Sequence, residues 1–137
     1  MIFVDTNVLI DLFERDPVWR DWSRLQLAEA AAKDSVTINP IVVAECAPRF
    51  ATLGQLESWL RRLEIVVADL PLEAAFAAGH LFRGYRRNEA ARTKILADFL
   101  IGAHARQLGA TLLTRDPAIY RRYFPDLPLI APDFDHG

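Results

Sequence analysis

IFVDTNVLID, residues 2–11, is the stretch that decides the fold. It begins with three consecutive apolar residues, the pattern of a short strand buried on both faces of a parallel sheet. Asp5 follows at once, and Thr6 and Asn7 have side chains that can accept from the free N–H groups at the start of a helix. In parallel α/β sheets, ligands bind beyond the carboxyl ends of the strands. Asp5 is therefore a candidate site residue, although a turn or a helix cap explains an aspartate there about as well.

The length and composition are those of one domain. The chain has 137 residues, of which 52% are hydrophobic, and this is enough for a single sizeable core. It contains no run of about 18 apolar residues and begins without the features of a signal peptide. Cys46 is the only cysteine, which excludes an intramolecular disulfide and a cysteine-rich zinc site. We expect one cytoplasmic domain over residues 1–137, and the net charge of −2 leaves room only for a local basic patch.

Strands and helices alternate along the rest of the chain. The sequence predicts further strands at 36–38, 65–68 and 111–114, and a last short strand at Leu129 and Ile130. It predicts helices over 17–33, 41–46, 53–63, 72–82 and 95–108. This alternation indicates an α/β fold with a mostly parallel sheet.

Three further acids occupy places comparable to that of Asp5. Glu45 lies in the helix after the second strand, Asp98 is the only acid in the apolar helix 95–108, and Asp116 directly follows the fourth strand. Separately, each has an ordinary explanation: a solvent-facing side chain, an ion pair with a nearby base, or a turn. Together, four carboxylates at the carboxyl ends of parallel strands would meet in one cleft, where like charges repel unless a cation neutralises them. Without histidine or cysteine beside them, they suit a hard cation such as Mg²⁺ or Mn²⁺.

These residues, in this order, resemble the PIN-domain ribonucleases over nearly the whole chain. The resemblance rests on DTN from Asp5 to Asn7, Glu45, Asp98, and LLTRD ending at Asp116. The short single-domain form is similar to a VapC-type toxin of a bacterial or archaeal toxin–antitoxin pair. The resemblance implies a PIN-like α/β/α sandwich, homodimerisation, inhibition by a cognate VapB-type antitoxin, and cleavage of RNA as an endonuclease that depends on Mg²⁺ or Mn²⁺.

The same resemblance implies an acidic quartet of Asp5, Glu45, Asp98 and Asp116. We expect Asp5, Asp98 and Asp116 to be the principal ligands of one or two metal ions, directly or through water. Glu45 would bind a second ion or orient the attacking water. Three neutral side chains suit the surroundings of the ligands or the scissile phosphate, although helix capping explains the first two nearly as well: Thr6, Asn7 and Thr114.

A basic run and two apolar stripes are candidate partner surfaces. The basic run would grip RNA phosphates, although such runs are about as often solvated helical faces; its members are Arg83, Arg86, Arg87, Arg92 and Lys94. Three tyrosines could stack on unpaired bases, namely Tyr85, Tyr120 and Tyr123. The apolar stripes would form an antitoxin groove or a dimer interface through Trp19, Trp22, Leu53, Leu56 and Leu60.

Other classes of protein also place an aspartate after the first strand. A phosphotransfer enzyme of the haloacid dehalogenase type has a second aspartate two residues later, where this chain has Asn7. A receiver-like phosphoacceptor module normally needs a lysine after a late strand, where this chain has Arg115 beside Asp116. A PIN-like domain that only binds is a third alternative, and the presence of all four acids argues against it.

Overall fold

The computed structural model describes residues 1–85 and 89–132, with side chains described up to residue 85 and from residue 94. A five-stranded sheet lies at its centre. Its strands are β1 (Ile2–Val4), β2 (Val36–Ile38), β3 (Ile65–Val67), β4 (Thr111–Leu113) and β5 (Leu129–Ile130). They lie in the order β3-β2-β1-β4-β5, and every neighbouring pair is parallel. The predicted α/β class with a mostly parallel sheet is confirmed.

Helices flank this sheet. They are α1 (Thr6–Glu14), α2 (Arg20–Lys33), α3 (Pro40–Cys46), α4 (Leu53–Arg62), α5 (Leu72–Arg83), α6 (Glu89–Gln107) and α7 (Ala118–Tyr123). Two predicted starts are wrong, because α2 begins at Arg20 instead of residue 17 and α6 begins at Glu89 instead of residue 95. Within the described ranges, none of the helices has the combination of length and apolar character that crossing a bilayer requires.

The first strand is the central strand of the sheet. Ile2 pairs with Val36 of β2 on one side and with Thr111 of β4 on the other. Phe3 and Val4 are completely buried, as the uninterrupted apolar run predicts. The strand order reverses at β1, because β2 and β3 lie on one side and β4 and β5 on the other. The carboxyl ends of β1 and β4 therefore border the crevice in which such sheets bind ligands.

The leucine stripe of α4 belongs mainly to the core. Leu56 and Leu60 are 3% and 4% exposed and pack within the main buried cluster, whereas Leu53 in the first turn is 66% exposed. The expectation that Leu56 and Leu60 contribute to a partner surface is therefore wrong. A small domain has few large apolar residues to spare, and these two complete its interior. Leu53 is the accessible member of the stripe.

The predicted apolar face of α2 also differs in the structure. The helix buries Ser23, Leu27 and Ala30, while Leu25 is exposed. Trp22 is half-buried against the core, and its ring lies 6.0 Å from that of Trp19, centroid to centroid, in an edge-to-face arrangement. The two tryptophans thus contact each other and stay partly accessible.

Helix α6 approaches the end of α7 closely at Gly102. A Cβ atom there would lie 2.6 Å from Cε2 of Phe124, whose ring is buried in the close-packed core. We expect Gly102→Ala to lower the free energy of unfolding by about 1–3 kcal/mol, the usual cost of overpacking, as measured by urea denaturation. Gly79→Ala is the matched control, because a Cβ in the middle of α5 meets no atom within 4 Å. Equal stability of Gly102→Ala and the wild type would contradict this packing.

Candidate active site

Asp5 lies at the end of β1 and is 1% exposed. Its Oδ1 accepts from the backbone N–H of Thr6 at 2.7 Å, so Asp5 itself is the N-cap of α1. The alternative explanation that Thr6 and Asn7 cap the helix does not hold, because both residues lie inside its first turn. The Thr6 hydroxyl instead donates to Oε1 of Glu45 at 2.6 Å. The start of α1 thereby connects the first strand with α3.

The second oxygen of Asp5 accepts from three side chains. The donors to Oδ2 are the Thr114 hydroxyl at 2.8 Å, the Tyr120 hydroxyl at 3.0 Å and the Asn7 amide at 3.3 Å. Burial raises the pKa of Asp5, and the positive charge of Lys94 and these hydrogen bonds oppose that shift only in part. Asp5 is therefore a well-oriented carboxylate whose ionised form needs a further positive charge.

Asp98 and Glu45 share the ammonium group of Lys94. The Nζ atom lies 2.9 Å from Oδ1 of Asp98, one helical turn further along α6, and 3.7 Å from Oε2 of Glu45. Burial raises the pKa of Asp98 to about 7, and the negative charges of Asp5 and Glu45 act in the same direction. The ion pair that was the ordinary explanation for Asp98 is thus present, but it does not offset the cost of burying that charge.

Asp116 is connected to Asp5 by Asn7. The Asn7 Nδ2 atom lies 3.3 Å from Oδ2 of Asp5 and 3.3 Å from Oδ2 of Asp116. Thr114, which directly follows β4, accepts from the backbone N–H of Asp116 at 3.1 Å and donates to Asp5. The Asp116 side chain is 70% exposed. It therefore forms the solvent-facing side of the site, whereas Asp5 and Asp98 form its buried side.

The four predicted acids form two pairs, each bridged by one nitrogen atom. Asp98 and Glu45 are bridged by the Lys94 ammonium, and Asp5 and Asp116 by the Asn7 amide. Carboxylate oxygens crowded in this way are the donors that Mg²⁺ and Mn²⁺ prefer, so the chemistry of the donor set fits a hard divalent ion. Among the side chains that the structure describes, no three acidic, histidine or cysteine groups already surround a common point. Binding through intervening water accommodates that spacing, because Mg²⁺ usually keeps several waters.

An open cleft of about 400 Å³ lies beside Glu45 and Asp116. Its lining includes the acids Glu45 and Asp116 together with three basic side chains, those of Arg49, Lys94 and Arg115. Acidic side chains suited to a cation are thus bordered by basic groups that attract anions. This arrangement suits a ligand that carries phosphate groups.

The predicted basic run is only partly described. Arg83 ends α5 and is exposed, and Lys94 lies within the site. Arg86 and Arg87 lie outside the described residues, as does the side chain of Arg92. Tyr85 is buried against Phe99, which makes the prediction that it stacks on bases wrong for this arrangement.

Tyr120 is a site residue that the sequence analysis misassigned. It is 1% exposed, and its hydroxyl donates to Asp5, so its predicted role in base stacking is wrong. Its role in the site could have been inferred from its position four residues after Asp116, because one helical turn brings a side chain back toward the end of the preceding strand.

Removing the Tyr120 hydroxyl should weaken the fold through Asp5. We expect Tyr120→Phe to lower the free energy of unfolding by about 1–3 kcal/mol, because a buried acceptor loses one of its donors. Urea denaturation measures this loss. Tyr123→Phe, in the same helix but half-buried, is the matched control and should change stability by less than about 0.5 kcal/mol. Equal effects of the two substitutions would show that the hydroxyl of Tyr120 does not support Asp5.

The sequence analysis named neither Asp11 nor Arg115 as a site residue. Asp11 is 1% exposed, and both its carboxylate oxygens accept from Nε of Arg115, at 3.0 and 2.8 Å. Asp11 stands three and four residues after Val8 and Asn7, and this spacing could have placed it on the buried face of α1. The structure thus adds an ion pair at the edge of the cleft.

Comparison with known proteins finds one matching family model and several similar solved structures. Residues 2–125 match the family model described as the PIN domain. Among solved structures, VapBC2 from Rickettsia felis bound to a promoter DNA fragment is similar, with a TM-score of 0.69 and 24% identity over 97% of this chain and 100% of that chain. A toxin–antitoxin complex from Klebsiella pneumoniae has a TM-score of 0.65 and 22% identity over 95% of this chain and 96% of that chain. FitAcB from Neisseria gonorrhoeae has a TM-score of 0.56 and 24% identity over 95% of this chain and 96% of that chain. No curated protein matches the sequence.

Proposed function

Because the chain belongs to the PIN domain family, we propose that it is a metal-dependent endoribonuclease and the toxin of a VapBC-type toxin–antitoxin pair. One observation carries the proposal: two pairs of carboxylates meet at the switch point of the sheet, beneath a cleft bordered by basic side chains. The acids suit Mg²⁺ or Mn²⁺, and the basic groups suit the phosphates of RNA.

The three aspartates would hold one or two metal ions. Asp5, Asp98 and Asp116 would bind directly or through water, and Glu45 would bind a second ion or orient the attacking water. A bound divalent ion supplies the Lewis acidity that makes water nucleophilic at neutral pH and stabilises the leaving oxygen at phosphorus.

The neutral side chains around the acids orient them. Thr114, Tyr120 and Asn7 donate to one oxygen of Asp5 and fix the direction of its carboxylate. Thr6 donates to Oε1 of Glu45, which leaves Oε2 on the side of Lys94 and the cleft. That second oxygen is the one suited to accept a proton from the attacking water.

Lys94 would contact both the acids of the site and the RNA substrate. Its ammonium lies next to Asp98 and Glu45, and the side chain is 56% exposed where it borders the cleft. It can therefore stabilise the ionised acids and also attract an RNA phosphate. Arg83, exposed at the end of α5, would extend the same basic surface.

An antitoxin partner is supported by the descriptions of the solved structures that this fold resembles. The similar structures from Klebsiella pneumoniae and Rickettsia felis are, by their descriptions, a toxin–antitoxin complex and a VapBC2 assembly on promoter DNA. We propose a VapB-type antitoxin whose apolar side chains contact Trp19, Trp22 and Leu53, which are accessible in whole or in part. We also propose that the toxin forms a homodimer.

Cleavage of a defined RNA pool tests the function. Purified protein, freed of antitoxin, is incubated with single-stranded RNAs of mixed sequence in Mg²⁺, in Mn²⁺ and in EDTA. Discrete cuts that appear with metal and disappear with EDTA are expected, because crowded carboxylates need the ion to act. Cuts that persist in EDTA would contradict the proposed chemistry. A folded protein that binds RNA but cuts none under either metal would favour a binding-only PIN domain.

A further inference from the structure

We propose that Arg115 is a phosphate ligand for the nucleic acid and that buried Asp11 holds it in place. The inference deepens the proposed ribonuclease function and rests on it. It assigns a substrate-contacting role to Arg115, which borders the cleft beside Asp116, and a positioning role to Asp11.

Asp11 anchors one side of the guanidinium group. Its two oxygens lie 3.0 and 2.8 Å from Nε of Arg115, and the Ser23 hydroxyl donates to Oδ2 at 2.9 Å. The backbone N–H of Arg115 donates to Oδ1 of Asn7 at 3.3 Å, and the guanidinium carbon lies 5.7 Å from the centre of the Trp19 ring. Three neighbours, Asp11, Asn7 and Trp19, thus hold the residue in one orientation, which reduces the entropy lost when a ligand binds.

The terminal amino groups of Arg115 are left for the cleft. Asp11 contacts the guanidinium through Nε, and the terminal Nη1 lies 3.6 Å from Oδ2 of the exposed Asp116. The planar fork of an arginine matches two oxygens of one phosphate, whereas water competes for its contact with Asp116, whose side chain is 70% exposed.

The other basic residues of the cleft are more fully engaged. Arg49 donates through Nε to Glu14 at 2.8 Å and through Nη1 to the carbonyl of Glu45 at 3.1 Å. Lys94 is held by Asp98 at 2.9 Å. Among the cleft residues that the structure describes, Arg115 therefore combines the firmest support with the most weakly held hydrogen-bond donors.

Salt-dependent binding separates a phosphate contact from a structural ion pair. A short fluorescein-labelled single-stranded RNA of mixed sequence is titrated at several salt concentrations, with Ca²⁺ in place of Mg²⁺ to suppress cleavage. For Arg115→Gln we expect about 10-fold weaker binding and a log–log salt slope that is shallower by about 0.7, the loss of one phosphate contact. The matched control is Arg61→Gln, an exposed arginine at the end of α4, which should keep the wild-type slope.

Variants of Asp11 keep the test independent of folding. Asp11→Asn combined with Arg115→Gln leaves no buried charge unpaired, and its loss of binding should equal that of Arg115→Gln alone. Asp11→Asn alone keeps the guanidinium but removes its anchor, so it should show a smaller loss in affinity. Circular dichroism confirms that each variant is folded.

The outcomes are distinct. If the wild type cuts RNA with metal but Arg115→Gln and the double variant keep the wild-type salt slope, the assignment of Arg115 is wrong and the ribonuclease stands. If the wild type neither binds the RNA nor cuts the pool, the proposed function fails and this inference fails with it.

Discussion

Asp98→Asn is expected to reduce metal-dependent RNA cleavage by more than about 100-fold, because even residues that only support a metal ligand cost 10- to 100-fold when changed. The substitution removes one negative charge and nearly preserves the shape of the side chain. Asp98 is buried in α6 beside Lys94, and the negative charges of Asp5 and Glu45 act on it, so the substitution changes the charge within the acidic site itself. Initial cleavage rates of one labelled RNA at saturating Mg²⁺ measure the effect.

The same variant should be more stable than the wild type in EDTA at about pH 8. Burial raises the pKa of Asp98 to about 7, well above that of an aspartate in an unfolded chain. Between those two values the folded state holds a proton that the unfolded state has lost, so the stability of the wild type falls as the pH rises. Asparagine has no such proton. Its advantage in melting temperature should shrink as the pH is lowered toward the ordinary pKa of aspartate.

Asp126→Asn is the matched control for both measurements. It makes the same chemical change at an exposed position just before β5, at the opposite end of the strands from the acids. Its cleavage rate should equal that of the wild type. Cleavage that survives in Asp98→Asn would place the activity in a contaminant or in another site, and a lower melting temperature for that variant at about pH 8 would contradict the burial argument.

Leu56→Glu should destabilise the protein severely. Leu56 is 3% exposed, so the substitution removes a packed leucine and buries a carboxylate without a partner. A loss of more than about 4 kcal/mol is expected, and total stabilities of domains are typically only about 5–15 kcal/mol. Thermal melting followed by circular dichroism measures the loss.

Leu53→Glu makes the identical change on the same helix and should behave differently. Leu53 is exposed in the first turn of α4, so its stability should change by less than about 0.5 kcal/mol. A stable, folded Leu56→Glu would mean that α4 does not pack as described. Because Leu53→Glu keeps the fold, it is also the variant with which loss of antitoxin binding can be attributed to the surface.

The sequence predicted the sheet and the acids for one physical reason. Buried parallel strands consist of consecutive apolar residues, and side chains that directly follow such strands meet at one edge of the sheet. Asp5, Thr114 and Asp116 all follow strands directly and are connected by hydrogen bonds. The position of Asp98 followed from its contrast with an apolar helix.

What could not be predicted depends on distances that periodicity does not contain. Leu53 and Leu56 share a helical face by their spacing, yet the core covers Leu56 and leaves Leu53 exposed. Tyr120 has an aromatic ring suited to stacking, and its role changed because the turn after β4 directs its hydroxyl inward to Asp5. The pairing of Asp11 with Arg115 joins residues 104 positions apart, which no local pattern reveals.

The span of chain between Asp5 and its donors has a consequence for protein synthesis. Thr114 and Tyr120 are 109 and 115 residues further along the chain than the carboxylate that they hold. A ribosome therefore makes the first acid long before it makes the groups that orient it, and a nascent chain has no assembled centre until Tyr120 has emerged. For a protein proposed to cleave RNA, the catalytic centre therefore cannot form until the chain has been synthesised at least as far as Tyr120.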